Sequence, residues 1–114
     1  MPNQLFMIGK ESANQGEPLM RSRRQPIDRE AAEAIALQGL AFLAEEPARL
    51  RRFLLITGLE PGEVRARAST PELMLAVLEH LAADESLLLV FAAGRKIAAE
   101  SVGLAIRVLQ APHP

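Results

Sequence analysis

The side chains that most often carry enzyme chemistry are scarce in this chain. Its 114 residues include two histidines and no cysteine. His80 follows Glu79 inside an apolar helical pattern and His113 is the penultimate residue, so neither has a metal-binding partner at i+3 or i+4. We predict that both histidines are ordinary surface residues. We also predict no catalytic residues, no metal and no cofactor, and therefore a protein that is not an enzyme.

Two short motifs could form sites, and each has a simpler structural explanation. Asp84 and Ser86 offer an acid and a hydroxyl, but an acid just before an apolar run is typical of a helix N-cap. Thr57-Gly58 could belong to a phosphate-binding turn, but no strand precedes it and no lysine follows it. We predict instead that Gly58 ends a helix in the left-handed conformation.

Arginines provide the remaining charged candidates. A candidate basic patch consists of Arg49, Arg51 and Arg52, and neighbouring glutamates favour an ordinary surface of mixed charge there. An arginine-rich arm precedes it, made of Arg21, Arg23, Arg24 and Arg29. The formal net charge of −1 argues against a dedicated nucleic-acid binder, because affinity for phosphates requires an excess of Lys and Arg. Weak binding of nucleic acid or another acidic surface by this arm and patch is therefore an alternative hypothesis.

Apolar residues recur at helical spacing from Asp28 onward, where Asp28 is itself a good N-cap. The pattern predicts an all-α fold, a compact bundle of six short helices. They are residues 31–44, 47–57, 61–68, 71–82, 85–94 and 99–110. Prolines near several starts and glycines at predicted ends support these limits.

The helical period also predicts which faces are buried. Phe53 and Phe91 are expected core residues, and the fifth helix, apolar all round at residues 87–93, is expected to be central. Gly39 inside the first helix suggests that another helix crosses closely there. The fourth helix should bury Leu73, Met74, Val77, Leu78, Leu81 and Ala82. It should expose Glu72, Ala76, Glu79, His80 and Ala83.

An offset of 38 residues aligns the two halves of the helical region. It matches Leu43 with Leu81, Phe53 with Phe91 and Val64 with Val102, and it places Glu46 on Asp84. Two pseudo-repeated three-helix units are one explanation. Chance similarity between helices rich in Leu and Ala is the other.

The chain divides into a tail and a domain. Residues 1–26 lack a helical or alternating period and are predicted to be a flexible tail, in which 1–19 would be a start-site extension if Met20 begins the protein. Residues 27–111 are predicted to form a single all-α domain. We find no apolar run of about 18 residues and no secretory signal, so we expect no membrane span and a cytoplasmic protein.

Three segments, residues 34–44, 52–59 and 84–89, resemble the uncharacterised bacterial family known as domain of unknown function 3572. The resemblance covers residues 31–109. It implies a small cytoplasmic helical protein and brings no catalytic or binding residues. Members of that family typically begin close to the first helix, so the long tail departs from their pattern.

These observations leave the molecular function open and favour a non-enzymatic interaction module. Leu55 and Ile56 flank the buried stripe of the second helix and are hard to cover within one subunit, which suggests a protein partner or a homodimer. Binding of a small molecule in a pocket between helices is a third hypothesis.

Overall fold

The structure is a computed structural model that describes residues 27–111. This part of the chain is all-α, as predicted, and folds into a six-helix bundle without a strand. The helices are α1 Arg29–Ala44, α2 Pro47–Thr57, α3 Pro61–Arg67, α4 Pro71–Ala82, α5 Glu85–Arg95 and α6 Ala99–Gln110. None of them is long and apolar enough to cross a membrane. The predictions for the tail, for Met20 as a start and for His113 lie outside the described residues.

Local signals explain where most of the helices begin. Asp28 accepts a hydrogen bond from the Ala31 N–H at 2.8 Å, and Asp84 accepts one from the Leu87 N–H at 3.2 Å. Thr70 caps α4 in the same way. Three helices begin with a proline: Pro47, Pro61 and Pro71. Proline is well tolerated there, because N–H groups in the first turn make no hydrogen bond within the helix.

The core lies where α1, α4 and α6 pack against one another. A Cβ added to Gly39 would stand 3.0 Å from both Val77 Cγ1 and Leu81 Cδ1, so α1 and α4 cross closely at this glycine, as predicted. Val102 and Ala105 of α6 are fully buried. Helices α2 and α5 each pack against both α1 and α4.

The prediction of a central α5 is wrong. Phe91 and Ala92 are buried, but Leu89 and Val90 are 52% and 53% exposed. Helix α5 packs with one side on its neighbours, and the described residues provide no further element to cover its outer side. Composition alone could not reveal this, because the burial of an apolar residue depends on which elements lie beside it.

Two smaller predictions for α4 and α5 also need correction. Ala82 is exposed rather than buried, because it lies at the end of α4 and beside the core stripe that Leu81 closes. Helix α5 continues through Gly94, and Lys96 takes the left-handed conformation with φ of 57°. The Ile97 N–H then bonds to the Ala92 carbonyl at 2.9 Å while its side chain packs partly buried against the core, which fixes the helix end.

The helix limits repeat at the predicted offset of 38 residues. Helices α2 and α5 both have 11 residues and correspond position by position, and α1 and α4 end at equivalent positions. Gly58 and Lys96, also 38 apart, are both left-handed. Helices α3 and α6 also begin 38 residues apart, but α3 has 7 residues and α6 has 12, and α1 with 16 residues is longer than α4 with 12. A common origin of the two halves stays a prediction.

Candidate functional site

The two halves touch through a reciprocal pair of aromatic contacts. In the first aromatic contact, Phe42 meets Phe91 edge-on with ring centroids 5.4 Å apart. In the second, Phe53 meets His80 edge-on at 5.2 Å. His80 is the equivalent of Phe42 and Phe53 that of Phe91 at the 38-residue offset. Such reciprocity is what a two-fold relation between two similar units produces.

Charged side chains close the surface around the first aromatic contact. The Arg49 guanidinium lies over the Phe42 ring, 3.9 Å from its centroid, and donates a hydrogen bond to the Phe42 carbonyl at 3.1 Å. Next to it, Arg95 and Glu45 form an ion pair with 2.9 Å between Nη2 and Oε2. The Arg95 side chain is only 26% exposed, whereas Glu45 is 55% exposed, so the arginine occupies the space between α5 and the end of α1 and the glutamate holds it from the outside.

The second aromatic contact has no equivalent of the Glu45–Arg95 ion pair. The positions equivalent to Glu45 and Arg95 are occupied by Ala83 and Thr57, whose side chains are short. The result is an open groove of about 330 Å³ between α2 and α4, which we call the His80 groove. It is lined by Arg52, Ile56, Thr57, Ala76, Glu79, His80, Ala83 and Asp84.

Hydrogen bonds within the chain leave the carboxylates of the groove accessible. The Thr57 hydroxyl turns back to donate to the Phe53 carbonyl at 2.8 Å. Asp84 uses one oxygen to cap α5, and Glu79 accepts a long hydrogen bond of 3.5 Å from Gln110. Within residues 27–111, no ion pair involves Glu79, Asp84 or Arg52.

His80 is not the ordinary surface residue that we predicted. It is half-buried, and its ring contacts the fully buried Phe53. Burial lowers the pKa of the imidazole below its ordinary value of 6.5, Arg52 adds to this effect, and Asp84 opposes it. The imidazole is therefore uncharged at neutral pH, and the groove holds two carboxylates against one guanidinium.

The predicted solvent stripe of α4 changes at this groove for Ala76 as well as for His80. The helical period predicts that both residues face solvent, yet both are half-buried. The 38-residue offset contained the missing signal, because it places His80 on the aromatic Phe42. An aromatic ring at the equivalent position suggests a packing role for the histidine.

The candidate basic patch does not form one cluster. Arg49 is half-buried and turned toward Phe42, whereas Arg51 and Arg52 are exposed. Arg52 lines the His80 groove, which Glu79 and Asp84 also line. Arg49 is thus separated from Arg51 and Arg52, which remain neighbours on the exposed side of α2.

Helix α2 instead presents a mixed basic and apolar stripe, which we call the α2 outer face. Its members share one side of the helix at spacings of three and four residues, and all are exposed: Ala48, Arg51, Arg52, Leu55 and Ile56. Leu55 is 77% exposed and Ile56 61%. This exposure agrees with the expectation that these two side chains remain uncovered within one subunit.

A second, mainly apolar groove of about 330 Å³ lies at α3, where Leu40, Leu50 and Val64 contribute side chains. No group of three His, Asp or Glu side chains within residues 27–111 could hold a metal ion.

Comparison with known proteins adds a family. A family model described as a protein of unknown function, DUF3572, matches residues 29–112. Neither a curated protein nor a solved structure matches the chain.

Proposed function

The chain belongs to the DUF3572 family of proteins of unknown function, and we propose that it is a non-enzymatic interaction module that binds an acidic, amphipathic segment of another protein. The binding surface is the α2 outer face. One observation carries this proposal: Leu55 and Ile56, two large apolar side chains, are exposed side by side next to two arginines. Single exposed leucines are common on monomers, but a helical stripe of this kind is a usual partner-binding surface.

The charges of this face favour a different protein over a second copy of the chain. The α2 outer face contains Arg51 and Arg52 and no carboxylate. In a symmetric dimer the α2 outer faces of the two copies contact each other, so the arginines of one copy would lie against the same arginines of the other. Their like charges would repel. A partner with Asp or Glu beside its apolar residues would instead pair with them, and arginine is enriched in such interfaces.

The experiment compares two exposed apolar sites on equivalent helices. Tagged full-length protein would be used to capture binding proteins from the native cells, with Leu55→Glu as the test variant and Leu89→Glu on α5 as the matched control. We expect Leu55→Glu to abolish capture of a specific protein that Leu89→Glu retains. Arg51→Glu should weaken the same capture, because it repels an acidic partner.

Sedimentation velocity of the same proteins separates the two kinds of partner. A monomer with a captured partner that depends on Leu55 supports the proposal. A dimer that Leu55→Glu dissociates would show that the face binds a second copy. A monomer whose captured proteins are the same for all variants would contradict the assignment of this face.

We also propose that the protein acts in the cytoplasm and does not bind nucleic acid as its main role. The absence of cysteine suits a reducing compartment, and the net charge of −1 gives little attraction to phosphates. The separation of Arg49 from Arg51 and Arg52 further weakens the alternative. The expected result is no binding to DNA or RNA at low salt. An affinity at low salt that decreases steeply as the salt concentration rises would contradict the proposal that nucleic acid is not the main ligand.

A further inference from the structure

The two aromatic contacts differ in a way that suggests an occupant for the His80 groove. Glu45 and Arg95 contact each other beside the first aromatic contact. Their equivalents Ala83 and Thr57 both line the groove beside the second, so the space lies where an ion pair lies in the other half. The backbone arrangement is shared, but the side chains that would close it are absent.

We propose that the His80 groove receives the arginine side chain of the bound partner, in the place that Arg95 occupies at the first aromatic contact. This inference rests on the proposed function, because Arg52 and Ile56 belong to both the α2 outer face and the groove. A segment that lies along α2 therefore passes the mouth of the groove. The partner segment would combine acidic residues for the outer face with one arginine for the groove.

Charge selects a cation as this occupant. Glu79 and Asp84 line the groove and have no ion-pair partner among the described residues, whereas Arg52 is the only cationic side chain that lines it there. The groove therefore carries an excess of one negative charge. A guanidinium can donate to both carboxylates, because its donors form a planar fork.

The remaining lining suits the aliphatic part of an arginine. Ile56, Ala76 and Ala83 provide apolar surface between the charged groups. Long cationic side chains bury their methylene groups on such surface and keep the charged head near water. Arg49 provides a parallel for the charged head, because its guanidinium lies over the ring of Phe42, the equivalent of His80.

The test uses a small probe, so that it needs no partner protein. N-acetylarginine methylamide would be titrated into the full-length protein while the ring resonances of His80 are followed by NMR. The control is the citrulline analogue, which has nearly the same shape and no charge. We expect saturable shifts with the arginine probe and at least about threefold weaker binding of the citrulline analogue.

Two variants locate the probe. Glu79→Gln should weaken binding about threefold, while Glu72→Gln, an exposed acid at the other end of α4, should leave it unchanged. The double variant Thr57→Arg with Ala83→Glu copies the ion pair of the other half. It should fill the groove and abolish binding, and a circular dichroism spectrum with wild-type helical content would show that it folds.

Several results would overturn the proposal: no saturable shift of His80, equal binding of the two probes, or full binding by Glu79→Gln. These results are independent of the α2 outer face, since the probe titration involves no protein partner. Leu55→Glu should still bind the probe. If Leu55→Glu captures every protein that the wild type captures while the probe binds normally, the proposed function fails and the preference of the groove for arginine stands.

Discussion

The first and second aromatic contacts have the same backbone setting and different surroundings. Both bury a phenylalanine completely, Phe91 in one and Phe53 in the other. The first is covered by the Glu45–Arg95 ion pair, whereas Ala83 and Thr57 leave the second open. The difference separates two roles: the shared phenylalanines stabilise the fold, and the unshared positions create a surface that a ligand can use.

The largest expected effect concerns the shared residues. Phe53→Ala and Phe91→Ala should each lower the free energy of unfolding by about 3 to 5 kcal/mol, because each removes a fully buried ring and leaves a cavity. Chemical denaturation monitored by circular dichroism measures both losses. Leu89→Ala, at an exposed position of α5, is the control and should change stability by about 0.5 kcal/mol or less.

The sizes of these two losses in unfolding free energy also test the difference in packing between the two aromatic contacts. Phe91→Ala should cost at least as much as Phe53→Ala, because the His80 groove gives the second contact room to relax. A loss below about 1 kcal/mol for either variant would contradict its place in the core. A clearly larger loss for Phe53→Ala would contradict the view that the second contact is the less tightly packed one.

Sequence reasoning predicted those features of the fold that local chemistry determines. Asp28 and Asp84 cap helices because a carboxylate satisfies free N–H groups at a helix start, whatever lies around it. The buried face of α4 followed from its period, with Ala82 as the exception. These signals lie within a few residues of the feature that they predict.

The remaining features depend on contacts between distant residues. The outer side of α5 is exposed because no element of the described chain covers it. The apolar sequence of α5 does not indicate this exposure. The His80 groove arises from short side chains on two helices, which only the folded structure brings together. The helical period alone therefore predicts a surface position for His80, although its ring packs against Phe53.

The left-handed ends of α2 and α5 provide the next test of equivalence. Gly58 has φ of 76° and no atom near a would-be Cβ, whereas Lys96 adopts φ of 57° with a side chain. Gly58→Ala should destabilise the protein by about 1 to 2 kcal/mol, and Lys96→Gly should stabilise it by up to about 1 kcal/mol. Thermal denaturation followed by circular dichroism measures both. Changes of the same sign would show that the two ends are not equivalent.

A smaller effect is expected at Gly39, where α1 and α4 cross closely. The Cβ of Gly39→Ala would crowd Val77 and Leu81 at 3.0 Å, and the cost of overpacking should exceed the gain in helix propensity by about 1 kcal/mol. Gly103→Ala in α6 is the matched control, because a Cβ there meets nothing within 4 Å. It should stabilise the protein by about 0.5 to 1 kcal/mol. Stabilisation by both substitutions would mean that the helices have room to separate.

The smallest expected effect concerns the titratable ring of the second aromatic contact, His80. Burial and Arg52 lower the pKa of His80 in the folded protein below its ordinary value of 6.5. In the interval between the folded and unfolded pKa values, the unfolded chain binds the proton and the folded chain does not. Stability therefore rises with pH through this interval and falls as pH drops below about 6.5.

His80→Phe copies Phe42 into the second aromatic contact and removes this titration. Thermal denaturation between about pH 8 and pH 5.5 should show a smaller loss of Tm on acidification for His80→Phe than for the wild type. Carboxylates titrate in both proteins, so the difference between the two pH profiles isolates the histidine. Parallel profiles would indicate that the imidazole accepts its proton as readily in the folded protein as in the unfolded chain. The second aromatic contact would then be open enough to hydrate a charged ring, and its contrast with the closed Phe42–Phe91 contact would extend from the groove into the ring pair itself.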